Sequence, residues 1–362
     1  KLPRNEVIFR ANLQNGTLRR LILWHPPTPF FYGWLVLALV ALGAFVATSV
    51  AGVVLGGIQG FIFEDTGWSR GSIGLAAGLG VWASGVFGPI VGRLTDRYGA
   101  RWLIPSGTAI LSICLFSFIW VHSIWQFFLI AIVARAVSQP LLIGIVPRAV
   151  AVNFFRRQRN LALALTTMFR PVSGAINIQL FSSAALAIGW RTTFQLLGIF
   201  SMLLTVPMII IIRRQPEDIG LLPDGERPRL QGTNPSGLRS PHPAPPHEQD
   251  QEESWSAREA FKTKSYWLLA VTILMFTMAS TGISFNIVPY MQENTGLSSA
   301  QAIGVLSLST ALALANPIWG YVSNTVNPRY SMIAVTVFMS LLIIYLSILK
   351  SVPAAYTFGV LW

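Results

Sequence analysis

Charge is scarce in this 362-residue chain. Asp, Glu, Lys and Arg make up 11% of it, where a soluble domain carries about 25%. That scarcity excludes an enzyme with an ordinary water-facing surface. Cysteine is reduced to Cys114, so an intrachain disulfide is impossible. Histidine occurs at His25, His122, His242 and His247, none inside an apolar run beside a carboxylate, so no metal site is expected. The pattern G-x-x-x-x-G-K-[ST] is missing, which argues against ATP as a direct driver. No catalytic residue and no cofactor are expected. A cleavable signal is missing too: residues 1–32 begin with a polar, basic stretch (Lys1, Arg4, Arg10, Arg19 and Arg20 against Glu6) that reads as a cytoplasmic tail. The first residue is Lys1 and not Met, which suggests a trimmed or partial sequence.

Apolar residues are abundant, at 53% of the chain, with a mean hydropathy of +0.57. They fall in runs of roughly 20, the length that spans a bilayer as a helix. The runs predict spans at about 33–58, 72–92, 102–121, 125–147, 159–187, 191–212, 266–290, 299–322 and 330–349, with another beginning near Pro353. Their length and continuity fit helices and not barrel strands. The expected fold is all-α, a polytopic membrane protein of two six-helix halves with the second half truncated. Residues 33–212 form the first half and 265–362 the incomplete second. Between them, 213–264 is polar and rich in Pro, Ser and acidic residues, and reads as a cytoplasmic linker, partly disordered.

The net charge of +12 is spread in short clusters between apolar runs, which fits membrane topology and not nucleic-acid binding. Arg93, Arg97 and Arg101 follow the second span, and Arg148, Arg156, Arg157 and Arg159 follow the fourth. The alternate loops carry Glu64, Asp65, Arg70, Arg191 and Glu293. The positive-inside rule then places the N-terminus and the linker in the cytoplasm, with the plasma membrane as the expected location. Trp24, Trp68, Trp102, Trp120, Trp125 and Trp190 lie near span ends and read as interfacial anchors. Glycines four apart (Gly52, Gly56 and Gly60; Gly74 and Gly78; Gly88 and Gly92) allow close helix approach, either for simple packing or for sliding contacts.

The turn after the second span reads Gly92-Arg93-Leu94-Thr95-Asp96-Arg97-Tyr98-Gly99-Ala100-Arg101. Gly92 permits a close helix end, Gly99 a tight turn, and Asp96 is a carboxylate set among Arg93, Arg97 and Arg101. This resembles the G-x-L-x-D-R-x-G-x-R signature of the major facilitator superfamily. The resemblance implies a gate on the cytoplasmic side (Gly92, Asp96, Arg97, Gly99 and Arg101) that forms in one conformation and opens in another; the plainer alternative is a topology signal alone. "YGWLVLA" from Tyr32, "GWSRGSIG" from Gly67, "NFFRRQRNLALAL" from Asn153, "GWRTTFQLLG" from Gly189 and "RRQPEDIGLLPDG" from Arg213 are similar to the oxalate/formate antiporter and monocarboxylate transporter branch. There are departures: 299–322 holds no Lys or Arg, and Asn324 stands where the second copy of the signature would carry Asp.

Two arginines stand inside apolar spans. Arg135 and Arg170 each lie about eleven residues into their span, or about 16 Å deep, near the midplane. A central arginine costs at least about 2.5–3.5 kcal/mol and ordinarily faces a partner or a watery cavity. No predicted span holds an Asp or Glu to pair with either. Thr166, Arg170, Ser173 and Asn177 share one helix face, and Ser138 and Gln139 follow Arg135 by one turn. Arg170, Arg135, Thr166, Ser173, Asn177 and Gln139 are the candidate substrate-binding residues. The arginines bind an anion or hold the bundle together; by resemblance, the span-four arginine, Arg135, assists proton coupling. Ser284, Asn286, Ser307, Thr310 and Asn316 are weaker candidates for an opposite wall. The function expected is secondary active transport of a small organic anion, a carboxylate, by alternating access in the lipid bilayer, with a coupling proton or a counter-transported anion. The alternatives are efflux of an amphipathic compound and a non-transporting, transporter-like receptor.

Overall fold

The computed structural model describes residues 30–219, 221, 259, 261–312, 314 and 328–362. The N-terminal tail, almost all of the linker with His242 and His247, and Trp24, Asn316 and Asn324 lie outside the described residues. Among the described residues there is no strand, and eight helices are long and apolar enough to cross a membrane.

The first span is α1 (Tyr32–Thr48) and α2 (Gly52–Thr66). It runs to Thr66 where the sequence suggested 58, and it breaks over 49–51. Hydroxyls mark the break: Thr48 Oγ1 donates to Phe45 O at 2.8 Å and Ser49 Oγ to Val46 O at 2.7 Å. Such back-bonding offers the chain an alternative to the helical ladder. Next come α3 (Arg70–Tyr98) and α4 (Ala100–Ser117). The fourth span is α5 (Ile124–Ser138), a π-helical segment at Gln139–Gly144, and α6 (Ile145–Phe154). Pro140 and Pro147 explain the π segment. Neither can donate, so the ladder slips by one residue and Ile145 N–H reaches Pro140 O. Then follow α7 (Arg159–Ile188), α8 (Trp190–Ile211), α9 (Lys264–Thr295), α10 (Ser299–Leu312), α11 (Pro328–Ile348) and α12 (Val352–Leu361).

The described residues fall into two compact units. One gathers the first six spans with the residues from Ser284 onward, and the other is the described part of 227–283. Within the first unit, α4 packs most extensively on α8, α3 on α5, and α7 on α10 and α1. The α4–α8 seam is backbone against backbone: a Cβ on Gly198 would sit 2.8 Å from Phe116 N, and Ser112 Oγ donates to Gly198 O at 2.7 Å. The opposite helix faces stay apolar and exposed, as at Trp82, Val86, Leu186 and Leu203, which fits a lipid surround.

Trp190 is a correction to the set of anchors. It is buried, packs beside Phe118 and Phe194, and donates from Nε1 to Asp65 Oδ2 at 3.0 Å. Four of the sparse charges at that end are paired. Arg191 binds Asp65 and donates twice to Val121 O, at 3.2 and 3.1 Å. Arg70 Nη1 meets Glu293 Oε1 at 2.5 Å. These contacts bring together chain segments that hydropathy reads only as separate loops.

Candidate functional site

Arg135 sits in the last turn of α5 and is 5% exposed. Its Nε and Nη1 are buried, with no hydrogen-bond partner among the described residues. Two neighbours are in the same condition: Ser138 Oγ and Gln139 Oε1. In a helix, positions three and four apart share a face, so the three groups rise from one surface. Leaving such groups unpaired inside a protein is expensive, and the cost is largest for the charged one. The stem of Arg135 lies against α3 where that helix has Gly80. A Cβ on Gly80 would meet Arg135 Cβ at 2.8 Å, Cγ at 3.1 Å and Ala131 O at 3.4 Å. Gly80 therefore makes the berth in which Arg135 lies.

Arg170 belongs to α7, which runs opposite to α5. Each arginine is eleven residues from its helix start, counting from Ile124 and from Arg159. Arg170 is near enough for its charge to act on Arg135. It is exposed, although surrounding protein strips part of its hydration. No hydrogen bond or ion pair holds it among the described residues.

The rest of the predicted stripe behaves differently. Thr166, Ser173 and Asn177 are buried. Thr166 Oγ1 donates to its own helix at Leu163 O, 2.7 Å away. The Asn177 amide reaches into the first span, giving its Nδ2 protons to Phe45 O and Thr48 Oγ1, each at 2.6 Å. Asn177 thus fastens α7 to one carbonyl and one hydroxyl near the α1–α2 break, and only its Oδ1 stays unpartnered among the described residues. Of the opposite-wall candidates, Ser307 Oγ donates to Ala175 O at 3.1 Å, Thr310 Oγ1 bonds its own helix at Leu306 O, and Ser284 Oγ takes the indole of Trp362. Ser307 and Thr310 lie where α10 meets α7, against the two residues that follow Ser173; a Cβ on Gly174 would touch Thr310 Cγ2 at 3.4 Å.

At the far end of α3 lies the Asp96 turn. Gly99 has φ 71°, the left-handed region that favours glycine, and it both ends α3 and starts α4. The Arg214 side chain presses on it: a Cβ on Gly99 would lie 2.9 Å from Arg214 Cδ and 3.0 Å from its Cβ. Arg214 Nη2 also donates to Asp96 O at 3.2 Å, and Asn153 Nδ2 to Arg214 O at 3.4 Å. Arg214 thus ties the turn to the segment after α8 and to the end of α6. The sequence placed it only in "RRQPEDIG", as part of a resemblance. Beside it, burial and then the charge of Arg101 lower the pKa of Arg213, while Tyr32 and Asp218 raise it. The Asp96 carboxylate makes no ion pair among the described residues, and Arg97 and Arg101 lie over the rings of Tyr98 and Trp102. A Cβ on Gly92 would meet nothing within 4 Å, so the close approach expected there is not made in this conformation.

Gly99→Ala is expected to destabilise the chain by about 1–3 kcal/mol, because it forces a side chain into positive φ and onto Arg214. Thermal unfolding in detergent reads this. A melting temperature equal to that of the parent would show that the turn reshapes freely.

No match to a curated protein was found. A solved structure described as a bacterial homolog to the human lysosomal transporter Spinster, in an inward-facing and occupied conformation, superposes with a TM-score of 0.67. It is 16% identical, over 93% of this chain and 72% of that one, a likeness that shows the fold alone. The model of the Major Facilitator Superfamily matches residues 29–362. With the match running from the start of the first span through the last described helix, this chain belongs to the Major Facilitator Superfamily.

Proposed function

We propose that this major facilitator transporter carries a small organic anion, a carboxylate, by alternating access around Arg135 and Arg170. The observation that carries this reading is the buried guanidinium of Arg135, with Nε and Nη1 unpartnered among the described residues. A planar fork of donors in a low-dielectric site matches the two oxygens of a carboxylate. Arg170 adds a second positive charge close enough to act on the first. Ser138 Oγ and Gln139 Oε1 are open to the polar remainder of the substrate. The anion is exchanged for another or moves with a proton.

The orientation follows from charge. Arg93, Arg97, Arg101, Arg148, Arg156, Arg157, Arg159, Arg213 and Arg214 gather at the Asp96 end, which is the cytoplasmic side in this reading. The Asp96 end is then the gate that remakes its contacts when the transporter turns over. The plasma membrane is the proposed location.

The test is flux into proteoliposomes with a panel of labelled mono- and dicarboxylates, competed by unlabelled anions and by amphipathic cations. Carboxylates should be transported and should compete with one another. Arg170→Gln should weaken apparent affinity roughly three- to tenfold, the scale of one exposed charge-assisted hydrogen bond, and Arg170→Lys by less. Competition by the cations alone would turn the assignment toward amphipathic efflux. An Arg170→Gln protein with parental affinity would remove Arg170 from the site.

A further inference from the structure

Pro289 lies inside α9. Having no N–H, it cannot donate to the carbonyl four residues earlier, that of Phe285. A carbonyl so orphaned is costly within a membrane unless another group meets it. Gln59 of α2 meets it: Gln59 Nε2 donates to Phe285 O at 2.8 Å, and both residues are buried. The backbones come this close because Gly56, one turn away, has no side chain. A Cβ there would sit 2.5 Å from Phe285 O and 2.9 Å from its Cα. The ring of Phe285 leans on a second glycine, Gly74 of α3, where a Cβ would lie 3.1 Å from Cε1. Toward the same end, the Arg70–Glu293 pair spans from α3 to α9. All of these residues belong to one compact unit.

We propose that the Gln59–Phe285 joint is the closing device of the Asp65 end of the transport path, broken and remade once in each cycle. This rests on the alternating-access reading above and adds the residues that hold one end shut. A proline manufactures a hydrogen-bond acceptor on one helix, and a neutral amide on another docks to it. The chemistry suits a reversible contact. Neutral hydrogen bonds are modest in net strength, and water can satisfy both groups once the helices part. A charged donor in place of Gln59 would have to be desolvated at every closure. Gly56 and Gly74 supply smooth seats and no interlocking side chains, so the helices can separate without unthreading.

The test needs no substrate, so it stands apart from the choice of cargo, which the flux assay addresses. In a Cys114→Ser background, spin labels at Glu64→Cys and Asn294→Cys report the separation of α2 and α9 ends in lipid nanodiscs. Gln59→Leu should raise the ratio of separated to closed ends roughly tenfold, since it leaves the Phe285 carbonyl unmet. Adding Pro289→Ala should return most of that change, because residue 289 then donates its own N–H to Phe285 O. An unchanged distance distribution in Gln59→Leu, or no return on adding Pro289→Ala, overturns the proposal. Should Gln59→Leu fail to fold, recovery of the native melting transition in the double variant supports the joint, and failure to recover overturns it.

Discussion

Arg135→Gln should lower the affinity for the transported anion by roughly ten- to a hundredfold, equivalent to about 1.5–3 kcal/mol for a hydrogen bond to a charged group. The same substitution should leave the ligand-free chain as stable as the parent or more so. The two effects have opposite signs for one reason. The Arg135 guanidinium is buried, with Nε and Nη1 unpartnered among the described residues, so without an anion it is expected to cost stability and not to add to it. On the proposed function, those same donors are what the anion binds. A residue that merely held the bundle together would behave otherwise: its loss would lower the melting temperature and leave affinity little changed. Arg135→Lys keeps the charge and loses the fork, so its affinity should fall between the two. The measurements are anion binding by calorimetry and melting of the ligand-free protein, each at matched reconstitution. Parental affinity combined with a lowered melting temperature in Arg135→Gln would make Arg135 structural.

The spans were legible because each is an apolar run near the length a bilayer requires, a property of composition along the chain. What hydropathy lacks is azimuth and partner. It placed Thr166, Arg170, Ser173 and Asn177 on one face, and only contact with the first span shows that the Asn177 amide is already used there. It counted Asp65 and Arg191 as loop charges, though they are 126 residues apart and bound to each other. The break at 49–51 and the π segment at Gln139–Gly144 arise from competing hydrogen bonds, Thr48 and Ser49 in one case and Pro140 in the other. Both have sequence signals, a Thr-Ser pair and a proline inside an apolar run, but such signals also occur in helices that stay regular. Gln59 carried a signal of a different kind: a polar residue between glycines, whose meaning depended on a proline 230 residues later, counting from Gln59 to Pro289.

Gly80 gives the last and most local expectation, because it tests the shape of the site with every charge retained. The α3–α5 seam closes on Arg135 Cβ and Cγ, the part of the side chain least able to move, with Ala131 O behind it. Gly80→Leu cannot be absorbed by swinging the guanidinium aside; α3 and α5 must part, or the Arg135 stem must change rotamer. Overpacking of this kind costs about 1–3 kcal/mol, and a shift of about 1 Å in a binding group can cost as much as a hundredfold in function. Anion affinity should therefore fall at least roughly tenfold in Gly80→Leu, with a lowered melting temperature. Gly78→Leu is the control, two residues earlier in the same helix, where a Cβ would meet nothing within 4 Å. It should retain both affinity and stability, since leucine suits a helix and nothing there is displaced. Equal behaviour of the two variants, in either direction, would show that the berth at Gly80 does not set the position of Arg135. Loss confined to Gly80→Leu would tie the anion site to a single missing side chain on the neighbouring helix.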